Sequence, residues 1–88
     1  MAYDLVVSER AAKQLRRLDP VAAGRLLKYL HESVAPLDDP RALGRPLSGR
    51  FAGLWRYRVG DYRIIAHIDD DQFVVLALSF DHRSSAYR

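Results

Sequence analysis

Eighty-eight residues, 49% of them hydrophobic, suffice for a single domain over the whole chain (1–88) with one modest core. The absence of cysteine excludes a disulfide framework or a thiolate metal site, and no run reaches membrane length. Net charge is +3 with a pI near 9.6; with no secretory leader in Met1–Leu5, the composition points to a basic, soluble, cytoplasmic protein without membrane attachment.

Tyr3 to Val7 reads as a first strand, short and rich in β-formers. Ser8 can cap a following helix whose apolar side holds Ala11, Leu15 and Leu18, with Arg10, Lys13, Gln14, Arg16 and Arg17 opposite. Asp19-Pro20 then makes an N-cap and first helical position, and Ala23, Leu26, Leu27, Leu30 and Val34 form the stripe of a second helix ending before Pro36. Together they make an αα-hairpin able to lie on a sheet. From Ala35 to Phe51 no periodicity survives, and Pro36, Pro40, Gly44, Pro46 and Gly49 mark a long loop.

Leu54 to Ile68 reads as two strands joined by Gly60-Asp61, a two-residue hairpin loop with glycine at positive φ. Counting outward from Val59 and Tyr62, Arg58 faces Arg63, Tyr57 faces Ile64, Arg56 faces Ile65, Trp55 faces Ala66 and Leu54 faces His67. Alternation gives one face Trp55, Tyr57, Val59, Tyr62, Ile64, Ala66 and Ile68. The other receives Leu54, Arg56, Arg58, Arg63, Ile65 and His67. After the turn at Asp69–Asp71, Phe73 to Phe80 is an apolar strand suited to a sheet interior. Its expected register puts Val74, Leu76, Leu78 and Phe80 on the core face, and Phe73, Val75, Ala77 and Ser79 on the arginine face. His67 is expected to be a weakly buried structural histidine.

Like charges directly opposed across two strands cost a few tenths to about 1 kcal/mol. Two readings of the arginine face stand side by side. Either the guanidiniums splay into water, or they converge on an anion whose charge ends their repulsion. Between Arg41 and Arg63 six arginines (41, 45, 50, 56, 58, 63) stand against one acid, Asp61, a local charge of +5. Such a stripe suggests a polyanion, most often nucleic acid, although an acidic protein partner would leave the same mark. In the tail Asp81–Arg88, His82, Arg83 and Tyr87 are a proton carrier, a phosphate clamp and a stacking platform by residue type; a frayed terminus is the alternative.

The run Leu47–Ile68, with Leu54-Trp-Arg-Tyr-Arg-Val-Gly-Asp-Tyr-Arg63 at its centre, and the phrase His82-Arg-Ser-Ser-Ala-Tyr87 resemble the RelE/ParE superfamily of bacterial toxins. Met1-Ala-Tyr3 and Ser8–Lys13 are similar to the RelE branch in particular, and the resemblance spans nearly the whole chain. With the elements in the order β-α-α-β-β-β, it implies an α+β fold, a two-helix hairpin packed on a mostly antiparallel four-stranded sheet.

The resemblance also implies a toxin–antitoxin module in which the toxin enters the ribosome, cuts A-site mRNA and is neutralised by a cognate antitoxin. The cut is a transesterification by the ribose 2′-OH, with no metal and no cofactor. Matched by motif, the family's basic residues fall on Arg56, Arg58 and Arg63, then Arg83, with Tyr87 as the stacking residue. Proton transfer is expected of His82, since histidine titrates near neutrality. Arg56 and Arg58 stand where the branch often has lysine, and Asp81 where it usually has glycine. The alternative from the same superfamily is a ParE-like inhibitor of DNA gyrase that cleaves nothing itself.

Overall fold

Two capped helices and a strand ladder account for most of the chain in the computed structural model, which describes residues 2–82. Strand β1 (Asp4–Val7) leads into α1 (Glu9–Arg17), where Ser8 Oγ accepts the Ala11 N–H at 3.1 Å. Helix α2 (Pro20–Tyr29) starts as the Asp19-Pro20 signal requires, Asp19 Oδ2 accepting the Ala22 N–H at 3.2 Å. It continues through one π-turn, Leu30–Val34, in which the Ala35 N–H reaches back five residues to the Leu30 carbonyl. That wider turn leaves both Leu30 and Val34 fully buried.

Three strands follow: β3 (Trp55–Val59), β4 (Tyr62–Asp69) and β5 (Val74–His82). Between the helices and β3 the chain also forms a two-residue strand, β2 (Arg45–Pro46). The sheet order is β1-β5-β4-β3-β2, with β1 parallel to β5 and all other pairs antiparallel. The sheet thus has five strands where four were expected, the extra one lying inside the supposed loop. Pro46 is tolerated there because β2 is an edge.

The β3–β4 register agrees pair by pair with the count from the turn, from Trp55↔Ala66 to Val59↔Tyr62. Gly60 has φ 59° whereas Asp61 does not enter the left-handed region, as in a type II′ hairpin. Tyr57, Ile64, Ala66 and Ile68 pack with Leu26, Leu30 and Val34 in one buried cluster. Burying a leucine or isoleucine of this kind is worth about 2 kcal/mol.

The β5 register requires a correction. Ile65 pairs with Ser79, but Ala66 pairs with Ala77, so Leu78 is an extra residue in a bulge. The bulge shifts the alternation by one position. Phe80 remains on the helix-covered face, but Val75 and Ala77 join it there, both fully buried. Leu76, expected in the core, instead lies opposite the outward-facing His67, and both Leu76 and Leu78 are only half-buried. The small Ala11, Ala66 and Ala77 share the core, which allows α1 to lie close to the sheet.

Beyond the reach of β1, the outer edge of β5 is completed by α1. Gln14 Oε1 accepts the Phe80 N–H at 2.7 Å. Gln14 is therefore a structural acceptor, although its place among the polar residues of α1 gives no sign of it. No helix among the described residues is long and apolar enough to cross a membrane.

Candidate nucleic-acid interface

The helices cover one face of the sheet; among the described residues the other is left open, and the ladder arranges the arginines on it in rows. Arg58 is directly opposite Arg63, and Arg63 is directly opposite Asp81. In the next row Arg45 pairs with Arg56, which pairs with Ile65, which pairs with Ser79. The sheet thus places Arg56, Arg58 and Arg63 together as expected and adds Arg45. Arg45 belongs to the basic run of the sequence, but nothing in Arg45-Pro46 marks the strand that assigns it to this face.

Arg58 is exposed, while Arg56 and Arg63 are half-buried. Within these paired rows the one carboxylate is Asp81. Like charges placed opposite one another across a ladder disfavour the pairing. An oxyanion among them would accept charge-assisted hydrogen bonds and remove that repulsion.

His82 does not join the arginines. It pairs across the ladder with Tyr62, whose side chain packs against the core, and the two rings meet edge-on with centroids 5.1 Å apart. One residue of alternation separates Asp81, on the arginine side, from His82, on the helix side. His67 shares the arginine face but is exposed rather than weakly buried, being close to the end of the β4 ladder. Arg83 and Tyr87 lie outside the described residues.

The segment that carries Arg45 is held from behind. Arg41 donates to both oxygens of Asp70, at 3.2 and 2.7 Å, and to Asp39 at 3.1 Å, with its guanidinium 5.8 Å from the centre of the Trp55 ring. Tyr3 donates its hydroxyl hydrogen to the same Asp70 at 2.6 Å. Arg41 first, and Tyr3 second, hold the Asp70 carboxyl below its usual pKa, and the bond to Asp70 raises that of Tyr3. Deeper in, Tyr57 donates to the Pro40 carbonyl at 2.6 Å, and burial pushes its hydroxyl up to about 12. Gly44 lies against the Tyr57 ring so closely that an added Cβ would approach it to 3.0 Å. These contacts fix the path from Pro40 to Arg45.

Beside the arginine rows, the open face dips into a groove of about 540 Å³ with Leu47, Phe51, Leu54, Ile65 and Leu78 in its walls. Ser8, Arg10, Ser79 and Asp81 also line it. The bulge delivers Leu78 to this groove, which is why alternation alone does not reveal it.

A family model described as "ParE toxin of type II toxin-antitoxin system, parDE" matches residues 5–87. The chain belongs to the RelE/ParE superfamily of type II toxin–antitoxin toxins. Curated relatives place it on the RelE branch. It is 33% identical to Toxin RelE of Mycobacterium tuberculosis over 86 residues, covering 98% of this chain and 87% of that protein. It is 30% identical to Toxin RelG of the same organism over 88 residues, covering 100% and 99%. Among solved structures, the M. tuberculosis RelBE2 toxin–antitoxin complex has a chain that superposes with a TM-score of 0.88 at 27% identity, covering 96% of this chain and 94% of that one. Free E. coli RelE, as a mutant, superposes with a TM-score of 0.77 at 28% identity, covering 99% and 90%. The RelE fold, a helix pair on a mostly antiparallel sheet, is the one described above.

Proposed function

We propose that this toxin is a ribosome-dependent endoribonuclease that cuts A-site mRNA and so stops translation. The observation that carries the reading is the opposition of Arg58 and Arg63, flanked by Arg45 and Arg56, on the sheet face away from the helices. The names of its RelE relatives favour the same chemistry. In the cut, the 2′-oxygen of one ribose attacks the adjacent phosphorus while the bond from phosphorus to the 5′-oxygen breaks. The 2′-OH loses a proton and the leaving 5′-oxygen gains one, giving a 2′,3′-cyclic phosphate and a 5′-OH. Arg56, Arg58 and Arg63 hold the phosphate and stabilise the extra negative charge of the pentacoordinate transition state. Arg83 clamps the leaving-group side, and Tyr87 stacks on a base. His82, facing Tyr62, gains no direct support as the proton carrier from its position.

The partner in this reading is a cognate antitoxin with an acidic or amphipathic segment that covers the basic side or the helix–strand edges. The similarity to toxin chains of the M. tuberculosis and E. coli RelBE complexes supports it. Gyrase inhibition is the second reading, favoured by the ParE description of the matching family. Primer extension on mRNA in a purified translation system, with gyrase supercoiling assayed alongside, tests the choice. The expected result is discrete cuts that need ribosomes, carry a 5′-OH and vanish when the attacking ribose is 2′-deoxy. Inhibited supercoiling with intact mRNA would replace this proposal by the second.

A further inference from the structure

We propose that the groove between Phe51, Leu54, Ile65 and Leu78 is a nucleobase subsite, taking one unstacked base of a single-stranded RNA whose phosphate the adjacent arginines grip. The inference rests on the nucleic-acid reading of this face and adds to it a site for the base.

Three observations favour a base as the occupant. First, position: Ile65 sits in the same ladder row as Arg45 and Arg56, and the Arg58–Arg63 row is two residues further along the strands. Two residues of strand span roughly 6.8 Å. A phosphate held between those rows therefore has its own nucleotide within reach of the groove.

Second, size and lining. At about 540 Å³ the groove falls within the range of small-molecule sites, roughly 300–1,000 Å³, and has room for a base with part of its ribose. An amphipathic helix would need a longer trough with anchors at successive turns. The Ser79 hydroxyl and the Asp81 carboxylate at its margin can meet the polar edge of a base, the carboxylate accepting from an exocyclic amine, and Arg10 adds a cation.

Third, Phe51 is 48% exposed, and the Arg50 guanidinium lies 4.9 Å from its ring centre. This aromatic is not part of the main core, which lies on the other face. An exposed ring beside cations is what single-strand binders use to stack bases of any sequence.

The test uses the full chain and two short single-stranded RNAs of equal length and charge, one intact and one with a single abasic site. Fluorescence anisotropy should show the intact RNA bound about 10-fold or more tighter, the usual effect of losing one stacked base. In a Tyr87→Ala background, which removes the other stacking ring, Phe51→Ala should abolish that preference while the protein stays folded by circular dichroism, and Phe51→Trp should keep it. A 2-aminopurine at the same position should be quenched by the native protein and by Phe51→Trp, but not by Phe51→Ala. Equal affinity of the native protein for the two RNAs, with Arg56→Ala weakening both, would overturn the base subsite and leave the RNA reading standing. If neither RNA bound, both would fall. A preference that survived Phe51→Ala, while an acidic amphipathic peptide lost its binding, would assign the groove to a protein partner and overturn the proposal.

Discussion

Asp81 stands directly across the β4–β5 ladder from Arg63, on the face that also carries Arg58, Arg56 and Arg45. A carboxylate at this position lowers the local positive potential that an incoming phosphate meets. Asp81→Asn keeps the size and polarity of the side chain but removes the charge. RNA binding should tighten by about 3-fold or more at low salt, with the gain shrinking as salt rises. Stability should fall by no more than about 1 kcal/mol. Anisotropy titrations over a salt series check this, and unchanged affinity at low salt would remove Asp81 from the anion site.

The end of β5 that presents Asp81 depends on Gln14, whose side-chain oxygen takes the Phe80 N–H that β1 is too short to reach. Gln14→Leu should leave that buried donor unmet and cost about 1–3 kcal/mol. Denaturant unfolding measures the loss, and hydrogen exchange should quicken at the Phe80 amide more than at Val75.

The sequence revealed more of the fold than of the site. The Gly60-Asp61 turn fixes a local register, so the opposition of Arg58 and Arg63 could be counted by parity. The caps Ser8 and Asp19 and the stripes on α1 and α2 carry their own start and stop signals. Three features had no such signal. Nothing in Phe73–Phe80 marks Leu78 as a bulge, because an unbroken apolar run looks alike in either phase. Strand β2 exists through its pairing with β3 rather than through any propensity of Arg45-Pro46. The bulge leaves Phe80 in phase, so Asp81 falls beside Arg63 and His82 beside Tyr62.

Tyr57 is fully buried and its hydroxyl meets the Pro40 carbonyl at 2.6 Å. Tyr57→Phe should cost about 1–3 kcal/mol, since the carbonyl loses its donor in a dry setting. Equilibrium unfolding gives the value. Activity per folded molecule should stay close to native if the loop holds Arg45 by its remaining contacts.

The Arg41–Asp70–Tyr3 tie makes stability depend on acid. The folded pKa of Asp70 lies below its ordinary 3.8, with Arg41 as the main cause. Its contribution is therefore fully present above that value and disappears as pH falls through the lower, folded one. Thermal melts taken from neutrality down to strong acid should show a steeper acid loss in the native protein than in Asp70→Asn. Arg41→Ala should flatten the acid limb in the same way, and parallel acid limbs in all three would contradict the tie.

The central claim is that the arginine face serves phosphate and not folding, and Arg58 tests it most directly because it is exposed and opposed by a like charge. The measurement is the mRNA cleavage rate of Arg58→Ala per folded molecule, with a thermal melt of the same sample. Stability should change by no more than about 0.5 kcal/mol, as for a surface position, or rise slightly as repulsion is relieved. Cleavage should fall about 100-fold or more, the usual effect of removing one positioned donor at a transition state. A destabilised variant that cleaved at the native rate per folded molecule would contradict the account.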